Sequence, residues 1–212
     1  MSLEALAADL RARARGRARF VLAIAGPPGA GKSTFAEALL AVLERQAPGE
    51  AALLPMDGYH LDNALLAERG IQPRKGSPDT FDVAGLAATL ARLRAGEGEV
   101  IVPVFDRTLD VARAGARSIR PEHRLLLVEG NYLLLDRPPW DALAPCFDRT
   151  LLLSVDLDEL RRRLIDRWLS HGLDAAAAVA RAEGNDLANA RLVASCVRTP
   201  DIVWGDGGTA GE

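Results

Sequence analysis

"FVLAIAGPPGAGKSTFAEALLAVLER", residues 20–45, decides the fold of this chain. Its first seven residues are apolar or small without alternation, the pattern of a strand buried on both faces. From Gly31 to Arg45 the apolar residues fall at helical spacing, with Phe35, Leu39 and Val42 inward. Between strand and helix, Gly26-Pro27-Pro28-Gly29-Ala30-Gly31-Lys32-Ser33 fills the pattern G-x-x-x-x-G-K-[ST], and Thr34 follows. The chemistry of such a loop lies in its backbone. Gly26, Gly29 and Gly31, with the small Ala30, let successive N–H groups converge on phosphate oxygens without side-chain clash. The helix N-terminus adds positive potential. Lys32 is expected at the β- and γ-phosphates of a nucleoside triphosphate, and the Ser33 hydroxyl on Mg²⁺.

The same stretch explains an oddity of composition. Of 26 basic residues 24 are arginine, and the two lysines are Lys32 and Lys75. A planar guanidinium fork does not fit a narrow loop that an ammonium fills. The 212 residues suit a single domain, and 49% hydrophobic content supports a sizeable core. A net charge of −3 gives no global field for nucleic acid. The arginines from Arg11 to Arg19 form a local basic run without interleaved aromatics, read as a solvated face, so no nucleic-acid partner is expected. Cys146 and Cys196 lie too far apart for a metal spacing. No apolar stretch spans a bilayer, and Met1 to Leu10 has neither the charged start nor the apolar core of a signal segment. A cytoplasmic protein with no membrane partner is expected; a homodimer is compatible with this composition.

Outward from the loop, Leu3, Leu6 and Leu10 mark a short N-terminal helix. "AALLPMD" reads as a second strand, and Gly58 to Pro78 as a long polar stretch of turns. "DVAGLAATLARLRAG" reads as a helix capped by Asp82. "GEVIVPVFDRT", "HRLLLVEGN" and "DRTLLLSVD" read as strands and "LDELRRRLIDRWLSHG" as a helix ending at Gly172. Residues Asp174 to Val197 are mostly helical, and "DIVW" is a candidate last strand. Apolar strands alternating with amphipathic helices predict an α/β fold: a mostly parallel sheet with helices on both faces. In such sheets ligands bind beyond the carboxyl ends of the strands. Asp57 closes the second strand and is expected to accept a hydroxyl proton beside the γ-phosphate. Glu129 closes "LLLVEG" and is expected to help hold the metal.

"GPPGAGKST", "MDGYH", "RKGSPDTFD", "VPVFDR" and "LLLVEGNYLLL", in this order and spacing, resemble the phosphoribulokinase, uridine kinase and pantothenate kinase group of P-loop kinases. The pattern is most similar to bacterial fructose transport system kinase-like proteins of the nucleoside/nucleotide kinase family. The resemblance implies a P-loop NTPase fold with a five-stranded sheet and a helical lid, residues 1–212 forming one kinase domain. An acceptor-binding loop would run over about 57–81 and the lid over about 160–185. It implies ATP and Mg²⁺ as cofactors, Asp57 as catalytic base, and transfer of the γ-phosphate to a small-molecule hydroxyl, with a sugar (fructokinase-like) as leading acceptor. Nucleoside or pantothenate-like kinases are the alternative. From another class, a regulatory P-loop NTPase without phosphotransfer is a second alternative. His60, Lys75, Asp106, Arg107, Asn131 and Tyr132 follow strands or lie in the acceptor loop and are candidate acceptor contacts. Arg163 and Arg167, four apart on one helix face, are expected to stabilise charge on the transferring phosphoryl group.

Overall fold

The structure, a computed structural model, describes residues 1–205. Helix α1 (Leu3–Ala14) starts at Ser2, whose hydroxyl accepts from Ala5 N–H. Strand β1 (Phe20–Ala25) is buried throughout. Helix α2 (Lys32–Gln46) leads to β2 (Ala51–Pro55) and a 3₁₀ turn at Met56–Tyr59. Next come α3 (Asn63–Glu68), α4 (Val83–Ala95), β3 (Val100–Asp106), β4 (Val111–Ile119) and β5 (Leu125–Gly130). A 3₁₀ segment (Trp140–Cys146) precedes β6 (Arg149–Ser154) and α5 (Leu157–Ser170). Helices α6 (Ala175–Arg181) and α7 (Leu187–Ser195) are joined by a π-helical turn (Ala182–Asp186), and β7 (Ile202–Gly205) follows.

Five strands pair in parallel in the order β2-β5-β1-β6-β7. The strand carrying the glycine-rich loop is therefore central, and Ile24 and Pro55 are both in register with Glu129. That register brings the carboxyl ends of β1, β2 and β5 level. Alternate side chains divide the core between two faces. Leu22, Ile24, Leu127 and Leu151 pack with α1, α2, α5 and α7. Val21, Ala23, Leu126 and Val128 pack with α4, Trp140 and the inner residues of β3. Each fully buried aliphatic side chain contributes about 1.5–3 kcal/mol, so the run Phe20–Ala25 can be only a central strand.

The structure corrects three readings. "GEVIVPVFDRT" supplies β3, but β3 stays outside the five-stranded sheet and pairs antiparallel with β4. Strand β4, "VARAGARSI", was not foreseen; of its residues only Ile119 is buried, so it carries no apolar run. The polar stretch from Gly58 to Pro78 contains α3, capped by Asp62, and a 3₁₀ turn at Gln72–Arg74. In the basic run of residues 11–19, read as a solvated face, Arg13, Arg15 and Arg17 are exposed and Arg11 is half-buried, and only Arg19 departs from that reading. Arg11 pairs with Glu50, Arg13 with Asp9 and Arg17 with Asp148, while Arg19 is buried and donates to the Leu93, Arg120 and His123 carbonyls.

The β3–β4 hairpin is fixed over the β2 edge. Arg117 Nη1 donates to the Leu53 carbonyl at 2.7 Å. Gly58, next to Asp57, lies against β3 so closely that a Cβ there would meet the Pro103 carbonyl oxygen at 2.5 Å. Gly58→Ala must push the hairpin away from the turn that carries Asp57. The expected cost is about 1–3 kcal/mol, read as a lower urea midpoint with unchanged m-value; an unchanged midpoint would show that the hairpin is loosely docked.

Candidate active site

Helix α2 begins at Gly31, whose φ of 83° favours glycine. No side chain caps this terminus, and its first turn has no acidic residue. Its N–H groups and dipole are thus left for an external anion. Lys32 is buried and donates from Nζ to the Pro27 carbonyl at 3.0 Å. Burial pushes its pKa down to about 8, opposed by Glu129 and then Asp57, while Arg107 and Arg167 push it lower still. An ammonium buried this way gains when a polyanion arrives.

Beyond Lys32, Ser33 Oγ donates to Glu129 Oε1 at 3.2 Å. Burial, then the Asp57 carboxylate, raises the Glu129 pKa above the ordinary carboxylate range. A divalent cation there would relieve both effects, and a hydroxyl with a carboxylate is a hard-oxygen donor set suited to Mg²⁺. Among the described residues no cluster of three or more His, Cys, Asp or Glu could hold a metal. The protein donors therefore fit a cation completed by triphosphate oxygens and water.

A cavity of about 430 Å³ joins the loop to the acceptor side, lined by Gly29, Gly31, Lys32, Ser33, Thr34, Asp57, His60, Lys75, Arg107, Glu129, Asn131 and Arg167. Asp57 sits in the 3₁₀ turn after β2, and its Oδ2 accepts from Arg107 Nη2 at 2.9 Å. The His60 ring packs against both Phe81 and Phe105 at tilted angles of 43° and 38°, with ring centroids at 4.1 and 4.5 Å. Its Nδ1 donates to the Asp57 carbonyl at 2.8 Å.

Five expected site residues do not line the cavity. Asp106 Oδ1 accepts from the Thr108 and Leu109 N–H groups and closes the hairpin turn. Tyr132 is fully buried and donates from its hydroxyl to the Gly76 carbonyl at 2.6 Å, propping the acceptor loop from below. Arg163 Nε donates to Glu159 on its own helix and does not line the cavity. Gly26 is also absent from the lining. Ala30, nearly buried, donates its N–H to the Pro27 carbonyl at 3.1 Å, helping to shape the loop. Lys75 does reach the cavity, but as a clamp. Its Nζ donates to Asn63 Oδ1 at 2.8 Å, the Asp110 carbonyl at 2.7 Å and Asp110 Oδ2 at 2.9 Å. These bonds use all three of its protons.

Sequence reasoning missed part of the wall. Trp168, Arg181 and Asp186 face the same cavity. Trp168 Nε1 donates to Asp186 Oδ2 at 2.7 Å, and the Arg167 and Arg181 guanidiniums lie 5.4 and 5.2 Å from Trp168 ring centroids. Asn185 Nδ2 donates to the Lys75 carbonyl at 3.0 Å, tying the π-helical turn to the acceptor loop. For Trp168, Arg181 and Asp186 the hint was a tryptophan on an arginine-rich helix, a pattern that a core stripe gives equally well.

Known proteins share this arrangement. A crystal structure from Silicibacter sp. TM1040, provisionally described as a fructose transport system kinase, is 45% identical and covers 96% of this chain and 99% of its own, with a TM-score of 0.90. A Schizosaccharomyces pombe protein provisionally named a uridine kinase is 34% identical over 195 residues, 87% of this chain and 82% of its own length. The chain belongs to the uridine kinase, pantothenate kinase and phosphoribulokinase group of P-loop kinases. This kinase also matches the pantothenate kinase of Sorangium cellulosum at 35% identity over 159 residues, spanning about half (51%) of that relative's length. No protein-family profile matches the sequence. Members of the group are ATP-dependent enzymes acting on small molecules, and this chain is one of them. No helix among its described residues is long and apolar enough to cross a membrane.

Two outcomes follow for the kinase. With the Lys32 pKa near 8 when no phosphate is bound, nucleotide binding above that pH must take up a proton. Nucleotide Kd should be flat from about pH 6.5 to 7.5 and about tenfold weaker at pH 9, as read by calorimetry in buffers of different ionisation enthalpy; a pH-independent Kd would refute the buried ammonium. Lys75→Met should release the clamp. Amide hydrogen exchange should then speed up in residues 62–76 and 106–112 but not in β1 or β5. Unchanged exchange would remove Lys75 from that role.

Proposed function

We propose that the chain transfers the γ-phosphate of ATP to a hydroxyl of a small polar metabolite, with a sugar as acceptor. The carrying observation is the shared cavity, which Asp57, Lys32 and the start of α2 all line. The fructose transport system kinase described for the 45% identical structure supports a sugar. The uridine kinase name of the yeast relative supports a nucleoside as the second reading.

In this reading the triphosphate rests on the α2 N–H groups, with Lys32 at its terminal phosphates. Ser33 and Glu129 hold Mg²⁺ together with the nucleotide, and the metal supplies charge neutralisation. The acceptor hydroxyl enters beside Asp57 and displaces the Arg107 contact. As its oxygen bonds to the γ-phosphorus, its proton passes to Asp57, and the bond from the γ-phosphorus to the β–γ bridging oxygen breaks, releasing ADP. Arg167, within electrostatic reach of Lys32, offsets charge on the moving phosphoryl group. Residues 160–185 act as a lid that excludes water from ATP. His60 and Asn131 contact the acceptor. The reaction is placed in the cytoplasm, where ATP is kept.

An ATP-consumption screen against sugars, nucleosides and vitamin precursors tests this reading. Acceptor-stimulated turnover is expected, and Asp57→Asn should lower kcat about 10²–10⁴-fold with little change in KM for ATP. Arg167→Ala should lower kcat far more than Arg163→Ala. ATP hydrolysis that ignores every acceptor and the Asp57 substitution would identify a nucleotide-dependent regulatory protein instead.

A further inference from the structure

Helix α5 carries Arg167 between two anchors. One is apolar: Leu160 and Leu164 are buried, and a Cβ at Gly29 of the phosphate loop would meet Leu164 Cγ at 3.2 Å. The other is polar: Trp168 Nε1 donates to Asp186 Oδ2 at 2.7 Å. The first sets the helix against the phosphate loop. The second sets the ring beside which two cations stand, the Arg167 and Arg181 guanidiniums being 5.4 and 5.2 Å from its centroid. Both arginines line the cavity, and neither makes an ion pair with a described residue. A long cationic side chain without such a partner keeps many rotamers. The indole face, within the roughly 6 Å reach of a cation–π contact, narrows them. A carboxylate accepting from Nε1 makes the ring more electron-rich and strengthens that hold.

Asp186 lies in the π-helical turn, where the Leu187 N–H reaches back five residues to the Ala182 carbonyl. Turns of this kind recur at functional sites. The residue before Asp186 holds a different segment: Asn185 Nδ2 donates to the Lys75 carbonyl at 3.0 Å. Asn189, itself buried, donates from Nδ2 to Asn185 Oδ1 at 3.3 Å and orients that amide. The held segment is rigid, since Tyr132 donates to the Gly76 carbonyl and Lys75 is bound to Asn63 and Asp110. Burial, then the Asp186 carboxylate, raises the Tyr132 pKa, which sets Asp186 close to the same loop. Two consecutive residues thus join the acceptor loop to the helix that bears Arg167.

We propose that Asn185 and Asp186 are positioning residues: Asp186, through Trp168, holds Arg167 and Arg181 in place at the cavity, and Asn185 ties that placement to the acceptor loop. This rests on the kinase reading and adds to it the residues that keep Arg167 aligned for transfer. Asp186 acts through the arginines, so its removal costs turnover and spares ATP binding, which the phosphate loop provides.

The test assays the full chain with ATP and whichever of D-fructose and uridine is turned over faster. Asp186→Ala should lower kcat about tenfold with KM for ATP unchanged within about twofold. Asp186→Asn, which keeps an oxygen for Trp168 Nε1, should recover most of the loss. In an Arg167→Ala/Arg181→Ala background, Asp186→Ala should cost less than about twofold, because nothing is left to position. Should Asp186→Ala fail to fold, Trp168→Phe, which keeps an aromatic face and removes the N–H donor, makes the same comparison. Equal losses with and without the two arginines would overturn the proposal, as would an unchanged kcat. Amide hydrogen exchange needs no turnover and reads the joint by itself. Asn185→Ala should speed exchange in residues 72–77 and in residues 165–170 together; acceleration in only one of them, or in neither, would overturn the coupling. If neither probe stimulates ATP use, the sugar and nucleoside readings fail, and the exchange result still decides whether the turn joins loop and helix.

Discussion

A lysine ammonium is buried at the mouth of a helix, and the rest of the site is arranged around that charge. Taking an ammonium out of water is costly unless counter-charge and donors' partners are supplied. Here the protein supplies little of either: one carbonyl oxygen at 3.0 Å, and the field of Glu129 and Asp57. The α2 terminus beside it has no capping side chain. Both deficits have one remedy, an anion lying across the loop. The site is preorganised in the sense that its costs were incurred in folding, before any phosphate arrives.

The constraint passes outward through the sheet. The loop sits at the end of β1, with β5 and β6 on either side and β2 beyond β5. Glu129 ends up beneath Ser33 because of that register, and Asp57 overhangs both because the chain turns immediately after Pro55. Strand order thus converts three separated stretches of sequence into one wall. The remaining wall is of different character, built from the acceptor loop, the hairpin turn and the segment over α5–α7. Its members hold each other: Lys75 to Asn63 and Asp110, Asn185 to the Lys75 carbonyl, Tyr132 to Gly76. Such a network fixes the pocket's shape while leaving few free donors for a ligand.

The two lysines therefore have opposite characters. Lys32 is held by a single carbonyl oxygen and by distant charge, so a phosphate can recruit it. Lys75 has all its protons satisfied, in addition to lying 5.2 Å from the Phe105 ring centroid. In both cases a compact ammonium with three rotatable donors fits where a planar fork would not.

The sequence alone determined the central strand, the phosphate loop and its helix, because continuous apolar residues and glycines at fixed spacing constrain the local backbone wherever they occur. It also determined the parallel, helix-covered sheet and the strand end that bears Glu129, and placed Asp57 just beyond the second strand, where the structure has a 3₁₀ turn. It could not determine that β3 leaves the sheet to pair with β4, since that pairing depends on backbone hydrogen bonds and on Arg117 reaching Leu53, with almost no apolar signal. Nor could it separate Arg167 from Arg163, Asn131 from Tyr132, or a clamping Lys75 from a ligand-binding one. Those distinctions are directions of side chains a few ångströms apart. Only the packing of distant segments against one another decided them.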